Sequence, residues 1–232
     1  MGKLFDWRYM LRVFPDILTA LPITVLITLV AFAAGLIVGF FCALIKVNKV
    51  PLLTALVTFY TSFIRGTPLL VQIYISYYGL PVLTKAVFNM DISGVPAIVF
   101  VYVAYSINTG AYLTETIRGA IEAVDRGQTE AALSIGMTDG QAIRRIVIPQ
   151  AFLVALPNLG NTVIALVKDT SLAFSVTVVD LLGKSRLLGA NSFRYFEVYL
   201  NAAFIYWITC IALEFAVKKL EIAFKKKRGL EI

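Results

Sequence analysis

Long apolar runs, each closed by a short polar or basic stretch, dominate the chain. Five can be drawn. They cover about residues 21–44, ending at Lys46 and Lys49; part of 52–80, interrupted by Arg65-Gly66-Thr67-Pro68; 95–113; 149–178; and 198–217, followed by basic residues from Lys218 to Arg228. Each exceeds the roughly 17 residues that a helix needs to cross about 30 Å of hydrocarbon. The short alternating segments of a membrane barrel are missing, and a helix satisfies its own backbone within lipid. The pattern predicts an all-α integral membrane protein of about five transmembrane helices. It forms one membrane domain over 1–232, with an N-terminal extension over 1–16, a polar loop over 119–148 and a basic tail over 218–232.

Composition agrees: 59% of residues are hydrophobic and 15% charged, where soluble domains are nearer half and a quarter. No polar segment is long enough to bury a core of its own. The first apolar run is too long for a signal-peptide core and is expected to be retained. The start, MGKLFD, has Asp6 where a myristoylation signal needs Ser or Thr. The net charge of +7 reads as an orientation signal, because lysine and arginine mark cytoplasmic loops; it does not call for nucleic acid. An odd number of spans puts the termini on opposite sides. With the C-terminus cytoplasmic, twelve basic residues fall inside and seven outside, with Arg65 and Lys168 left within spans. The expected topology is N-terminus outside, C-terminus and polar loop cytoplasmic.

Several chemistries recede. The chain has no histidine, the commonest transition-metal ligand and general base, which weighs against a membrane metalloprotease; no metal ligand or catalytic residue is assigned. Cys42 and Cys210 lie in apolar runs and read as buried free thiols. Lys168 and Ser171 are spaced for a dyad on one helix face, but the lysine would have to be deprotonated. The GKS at 183–185 would need a glycine at 178, which is valine, so no phosphate loop forms. Gly35 and Gly39 permit close helix approach, within the chain or in a dimer. Tyr74, Tyr77 and Tyr78 read as an interface belt.

The most informative stretch is EAALSIGMTDGQAIRRIVIP over 130–149. Ala131, Ala132, Leu133 and Ile135 favour a short helix. Gly136 suits the position just past its end. Thr138 with Gln141 three residues later makes a capping box for a second helix. Pro149 suits the first turn of the next span. The expected result is a compact bent surface projecting from the membrane.

Glu130-Ala131-Ala132, three residues, Gly136, nine residues, then Ile146-Val147-Ile148-Pro149 resembles the EAA signature of ABC-importer permeases; only Ile148 departs, where leucine is usual. Arg65-Gly66-Thr67-Pro68-Leu69-Leu70 is similar to the R-G-T-P-L segment of the polar amino acid branch. So are Tyr112, Glu115, Arg118-Gly119, Gly127-Gln128, Leu156-Pro157, Asn161 and Lys168-Asp169-Thr170-Ser171-Leu172. The resemblance covers about residues 17–220. It implies a type I ABC importer permease fold in a bacterial cytoplasmic membrane, with a coupling surface of Glu130, Ala131, Ala132, Gly136, Arg144, Ile146 and Pro149. The implied partners are two ATPase subunits, a second permease copy or close paralogue, and an extracellular amino acid binding protein. No cofactor is expected in this chain; ATP and Mg2+ belong to the partner subunit. The implied substrate is a polar amino acid, with a lean toward cystine.

Such a substrate carries a carboxylate and an ammonium, and charges inside a membrane are usually functional. Arg65, Glu115, Lys168, Asp169, Thr170 and Ser171 are therefore expected along the substrate pathway, or else as braces of the bundle. The rival reading is a secondary transporter or channel that needs no ATPase. It should show inverted repeats; five spans do not halve, and no internal repeat is visible.

Overall fold

The computed structural model describes residues 5–227. Those residues form helices α1 (Trp7–Leu18), α2 (Leu21–Val47), α3 (Leu53–Arg65), α4 (Leu69–Tyr74), α5 (Leu80–Phe88), α6 (Ala97–Glu122), α7 (Arg126–Ser134), α8 (Asp139–Ala142), α9 (Ile148–Asp169), α10 (Leu181–Ser192) and α11 (Tyr195–Lys227). Among them, four stretches are long and apolar enough to cross a membrane: Leu21–Val47, Ala97–Glu122, Asp139–Val176 and Tyr195–Lys226.

The second expected run is interrupted at Arg65-Gly66-Thr67-Pro68, as its sequence indicated, and is not one of these four. Helix α3 stops at Arg65, and Pro68 opens a new helical stretch that passes through α4, one π-helical turn (Ile75–Gly79) and α5. The reason is local. Pro68 has no N–H for the carbonyl of Ile64, four residues back, and it disfavours helical backbone at Thr67.

Helices α2 and α6 run parallel and form the closest pair. Gly35 lies on Thr109 and Gly39 on Leu113; a Cβ at either glycine would come within 2.8 Å of its neighbour's side chain. The glycine pair is therefore an intrachain contact. Helix α9 runs antiparallel to both, closing an apolar cluster of Ala43, Leu113, Ala120, Ala151, Ala155 and Leu159. Lys46 at the end of α2 donates to Glu115 of α6 at 2.6 Å, and Arg118 Nε donates to the other Glu115 oxygen at 2.9 Å.

At the opposite end of the bundle, residues 7–16 of the expected N-terminal extension form most of α1, which packs on the bundle through Val13, with Tyr9 and Phe14 partly buried. Val13 and Ile17 pack with Leu181, Val198 and Ile205. Arg194 pairs with Asp6 at 2.9 Å, and Asn201 Nδ2 donates to the Met10 carbonyl at 2.7 Å. Asp180 is fully buried there. It caps α10 through Gly183 N–H at 2.8 Å and accepts from the Tyr206 hydroxyl at 2.9 Å.

The described part of the basic tail is helical. Residues 218–227 continue α11 as helix, because Leu220 and Phe224 extend its apolar content and Lys225 pairs with Glu221 one turn back at 2.7 Å. Phe224 meets Phe152 of α9 edge-on, with ring centroids 5.2 Å apart. The rest of the tail, 228–232, lies outside the described residues. Cys42 and Cys210 are unpaired and half-buried.

Candidate functional site

Two constructions stand out. The first is the turn over residues 125–142. Asp125 caps α7 by accepting from Gly127 N–H at 2.6 Å. The helix ends in a left-handed glycine: Gly136 has φ +84°. Its N–H donates to the Leu133 carbonyl at 2.9 Å, and that of Met137 to the Ala132 carbonyl at 3.1 Å. This paired pattern closes a helix end with a glycine just past the cap. No heavy atom lies within 4 Å of where a Cβ of residue 136 would be, so backbone conformation alone demands glycine. Thr138 and Gln141 then form the expected capping box, at 3.0 and 3.3 Å.

One expectation about this stretch needs correction. The second short helix does not stop before the next span. From Asp139 the chain stays helical through a π-helical turn, Ile143–Val147, into α9. The inserted turn absorbs Pro149, whose ring would otherwise press on the carbonyl four residues back.

Within the turn Ala132 is buried, whereas Glu130, Ala131, Gly136, Arg144 and Arg145 are exposed and Ile146 and Pro149 half-buried. Ile135 is 75% exposed and Leu133 protrudes beside it. The element is rigid at both caps and bears apolar side chains that it does not itself cover.

The second construction is a cavity of about 340 Å³ beside the helix break. It is lined by Thr67, Pro68, Asn108, Tyr112, Thr162 and Asp169, among others. Of the expected pathway residues, Asp169 lines it. Arg65 is not in the lining, but its guanidinium lies 5.5 Å from the ring centre of Tyr112, which is.

The others lie elsewhere. Glu115 is held by Lys46 and Arg118. Lys168 and Ser171 are not in the lining. Thr170 is fully buried and faces inward, donating to the Val167 carbonyl at 2.8 Å, with Asp180 at 3.4 Å. The cause is a change of helix: α9 ends at Asp169 and a tighter 3-10 stretch, Thr170–Val176, redirects the side chains that follow. The fourth span is therefore not one α-helix to 178. Asn108, Thr67 and Thr162 were not picked from the sequence; an amide inside an apolar run could have flagged Asn108.

Comparison with known proteins now decides the family. The profile described as "binding-protein-dependent transport system inner membrane component" matches residues 35–226. The chain belongs to that family. This permease is 41% identical over 221 residues to the probable amino-acid permease protein YxeN of Bacillus subtilis (strain 168), covering 95% of this chain and 96% of the relative. It is 38% identical over 228 residues to the L-cystine transport system permease protein TcyL of the same organism, covering 98% and 95%. A solved amino acid ABC transporter with histidines superposes with TM-score 0.84 at 34% identity, covering 95% of this permease and 100% of that chain. The MetNI methionine ABC transporter, at 17% identity and TM-score 0.66, shares the fold. The architecture is that of ABC transporter permeases.

Proposed function

We propose that this permease is the membrane subunit of an ATP-driven importer of polar amino acids, and that the turn at 125–142 docks on a separate ATPase subunit. The observation that carries the reading is the exposed, doubly capped turn with Leu133 and Ile135 uncovered. Exposed apolar side chains on a rigid polar element fit a protein interface. ATP and Mg2+ then act in the partner, and closure of two ATPases moves the paired turns. Lys46 and Arg118 meet on Glu115 toward the end of α6 that leads into the turn, and Arg144 and Arg145 follow the turn directly. That end is accordingly cytoplasmic, with the N-terminus outside, in a bacterial cytoplasmic membrane.

The cavity beside the break is the substrate station in this reading. Asp169 supplies a partner for an ammonium group, while Asn108, Thr67 and Thr162 offer polar atoms to the rest of the substrate. At about 340 Å³ it falls at the small end of ligand pockets, roughly 300–1,000 Å³. Asp169, Tyr112 and Pro68 are exposed in the single chain, so the station is open on one side. A second permease copy covers it, and an extracellular binding protein delivers the amino acid. Cystine and glutamine, named for relatives, are the substrates to try first. Affinity purification from native membranes should recover a soluble ATPase in equal amount, and uptake should vanish when that ATPase is disabled. Purification of the permease alone, with uptake intact, would replace this reading with an ATP-independent transporter.

A further inference from the structure

The broken span is held by one side chain with no role in the reading above. Where α3 ends, the Ser62 carbonyl accepts from Gly66 N–H at 2.9 Å and the Phe63 carbonyl from the Thr67 hydroxyl at 3.0 Å. The next carbonyl, Ile64, would in a continuous helix accept from the N–H of residue 68, and residue 68 is proline. Gln72 replaces that donor. Its amide nitrogen donates to the Ile64 carbonyl at 2.7 Å and contacts the Thr67 hydroxyl and carbonyl at 2.9 and 3.1 Å. Its amide oxygen accepts from Asn108 Nδ2 at 3.0 Å. Gln72 is only 7% exposed, so water is a poor substitute for any of these partners.

The same side chain thus touches both sides of the break and the wall of the cavity. Asn108 lines that cavity, and Thr67 and Pro68 of the break line it too. We propose that Gln72 is a positioning residue, a latch that links occupancy of the cavity at Asn108 to the freedom of the break at 66–68. The inference rests on the reading of the cavity as the substrate station. A ligand acceptor that draws the Asn108 amide toward itself weakens the hold on Gln72, and Gln72 then holds the Ile64 and Thr67 carbonyls less firmly. Such coupling is reciprocal: a break that opens also changes how Asn108 presents itself to ligand. Substrate binding would in this way loosen the hinge of the second span before the ATPases close.

The test is amide hydrogen exchange across residues 66–71 of the full-length permease in lipid nanodiscs. Gln72→Met keeps the bulk and removes both hydrogen-bonding ends; exchange there should rise by about tenfold, as expected for loss of a buried hydrogen bond. Gln72→Glu keeps an acceptor for Asn108 and, measured at a pH where it is ionised, has no donor for Ile64; it should then match Gln72→Met at the break. Asn108→Leu touches neither Ile64 nor Thr67, yet should raise exchange at 66–71 by about threefold, a smaller share of the same hold. A brace without coupling would leave the break unmoved in that variant. Unchanged exchange in Gln72→Met overturns the latch, and unchanged exchange in Asn108→Leu overturns its link to the cavity. Asp169→Asn reports separately. Normal amino acid uptake by that variant, with the exchange results as expected, overturns the station and leaves the hydrogen-bonded latch standing as a purely mechanical one.

Discussion

The turn at 125–142 and the cavity beside the helix break carry polar residues in opposite ways. Every hydrogen bond that shapes the turn joins residues no more than five apart in sequence. The cavity is assembled from residues 67–69, 108–112 and 162–172, on separate helices, and its Asn108–Gln72 bond spans 36 residues. The turn is exposed, with little tertiary contact to correct it, so its own caps must fix its shape. The cavity inherits its shape from the packing of the α3–α4 break against α6 and α9. A locally specified element suits a docking surface that must keep one form while it moves as a body. An assembled one suits a site whose walls shift relative to one another.

The largest effect is expected from disturbing the helix pair beside the cavity. Gly39→Leu drives side-chain carbons into Leu113 and the Thr114 backbone and should destabilise the α2–α6 pair by about 3 kcal/mol. The readout is a large loss of folded protein in detergent thermal stability. A stable, monodisperse variant would mean that α2 is only loosely attached. Next in size, Gly136→Val forces a β-branched residue to a left-handed backbone, a strain of about 2 kcal/mol. Uptake should fall more than about tenfold at this strain, while the membrane bundle keeps its thermal stability. If instead both fall together, the turn is not the independent element described here.

Asp169→Asn should raise the half-saturating amino acid concentration of uptake about tenfold, worth about 1.4 kcal/mol of binding, with turnover at saturation less affected. Lys168→Met is the control, since Lys168 lies outside the lining; an equal effect from both would point to a brace rather than a ligand contact. The smallest effect is expected from Thr138→Ala. It removes half of the capping box, about 1 kcal/mol, and should lower ATPase copurification only a few-fold. Complete loss would show that Thr138 itself touches the partner.

The turn was legible because its signals are local. Gly136, the Thr138–Gln141 pair and Pro149 each state their role within a few residues. The π-helical turn before Pro149 was not, because proline at a helix start and proline within a relieved helix look alike in one dimension. In the second run, Arg65-Gly66-Thr67-Pro68 marked the interruption, but not that a glutamine four residues past the proline would repair it. The residues expected along the pathway do not share one place, for the same reason. Asp169 lines the cavity, while Thr170 turns inward because the helix tightens between them, and spacing along an ideal helix no longer tells direction.

Hydropathy and length by themselves determined that this chain is a helical membrane protein, and local capping chemistry determined its rigid exposed turn. Burial of apolar faces in lipid and closure of short hydrogen-bonded rings need no knowledge of distant residues. Only the tertiary structure decided that Gly35 and Gly39 pack on α6, that Glu115 is held between Lys46 and Arg118, and that Asn108, Asp169 and the helix break share one cavity. In lipid every helix face can find an apolar neighbour. Which faces meet is therefore set by shape and by the pairing of a few buried polar groups, and these become visible only when the helices are assembled.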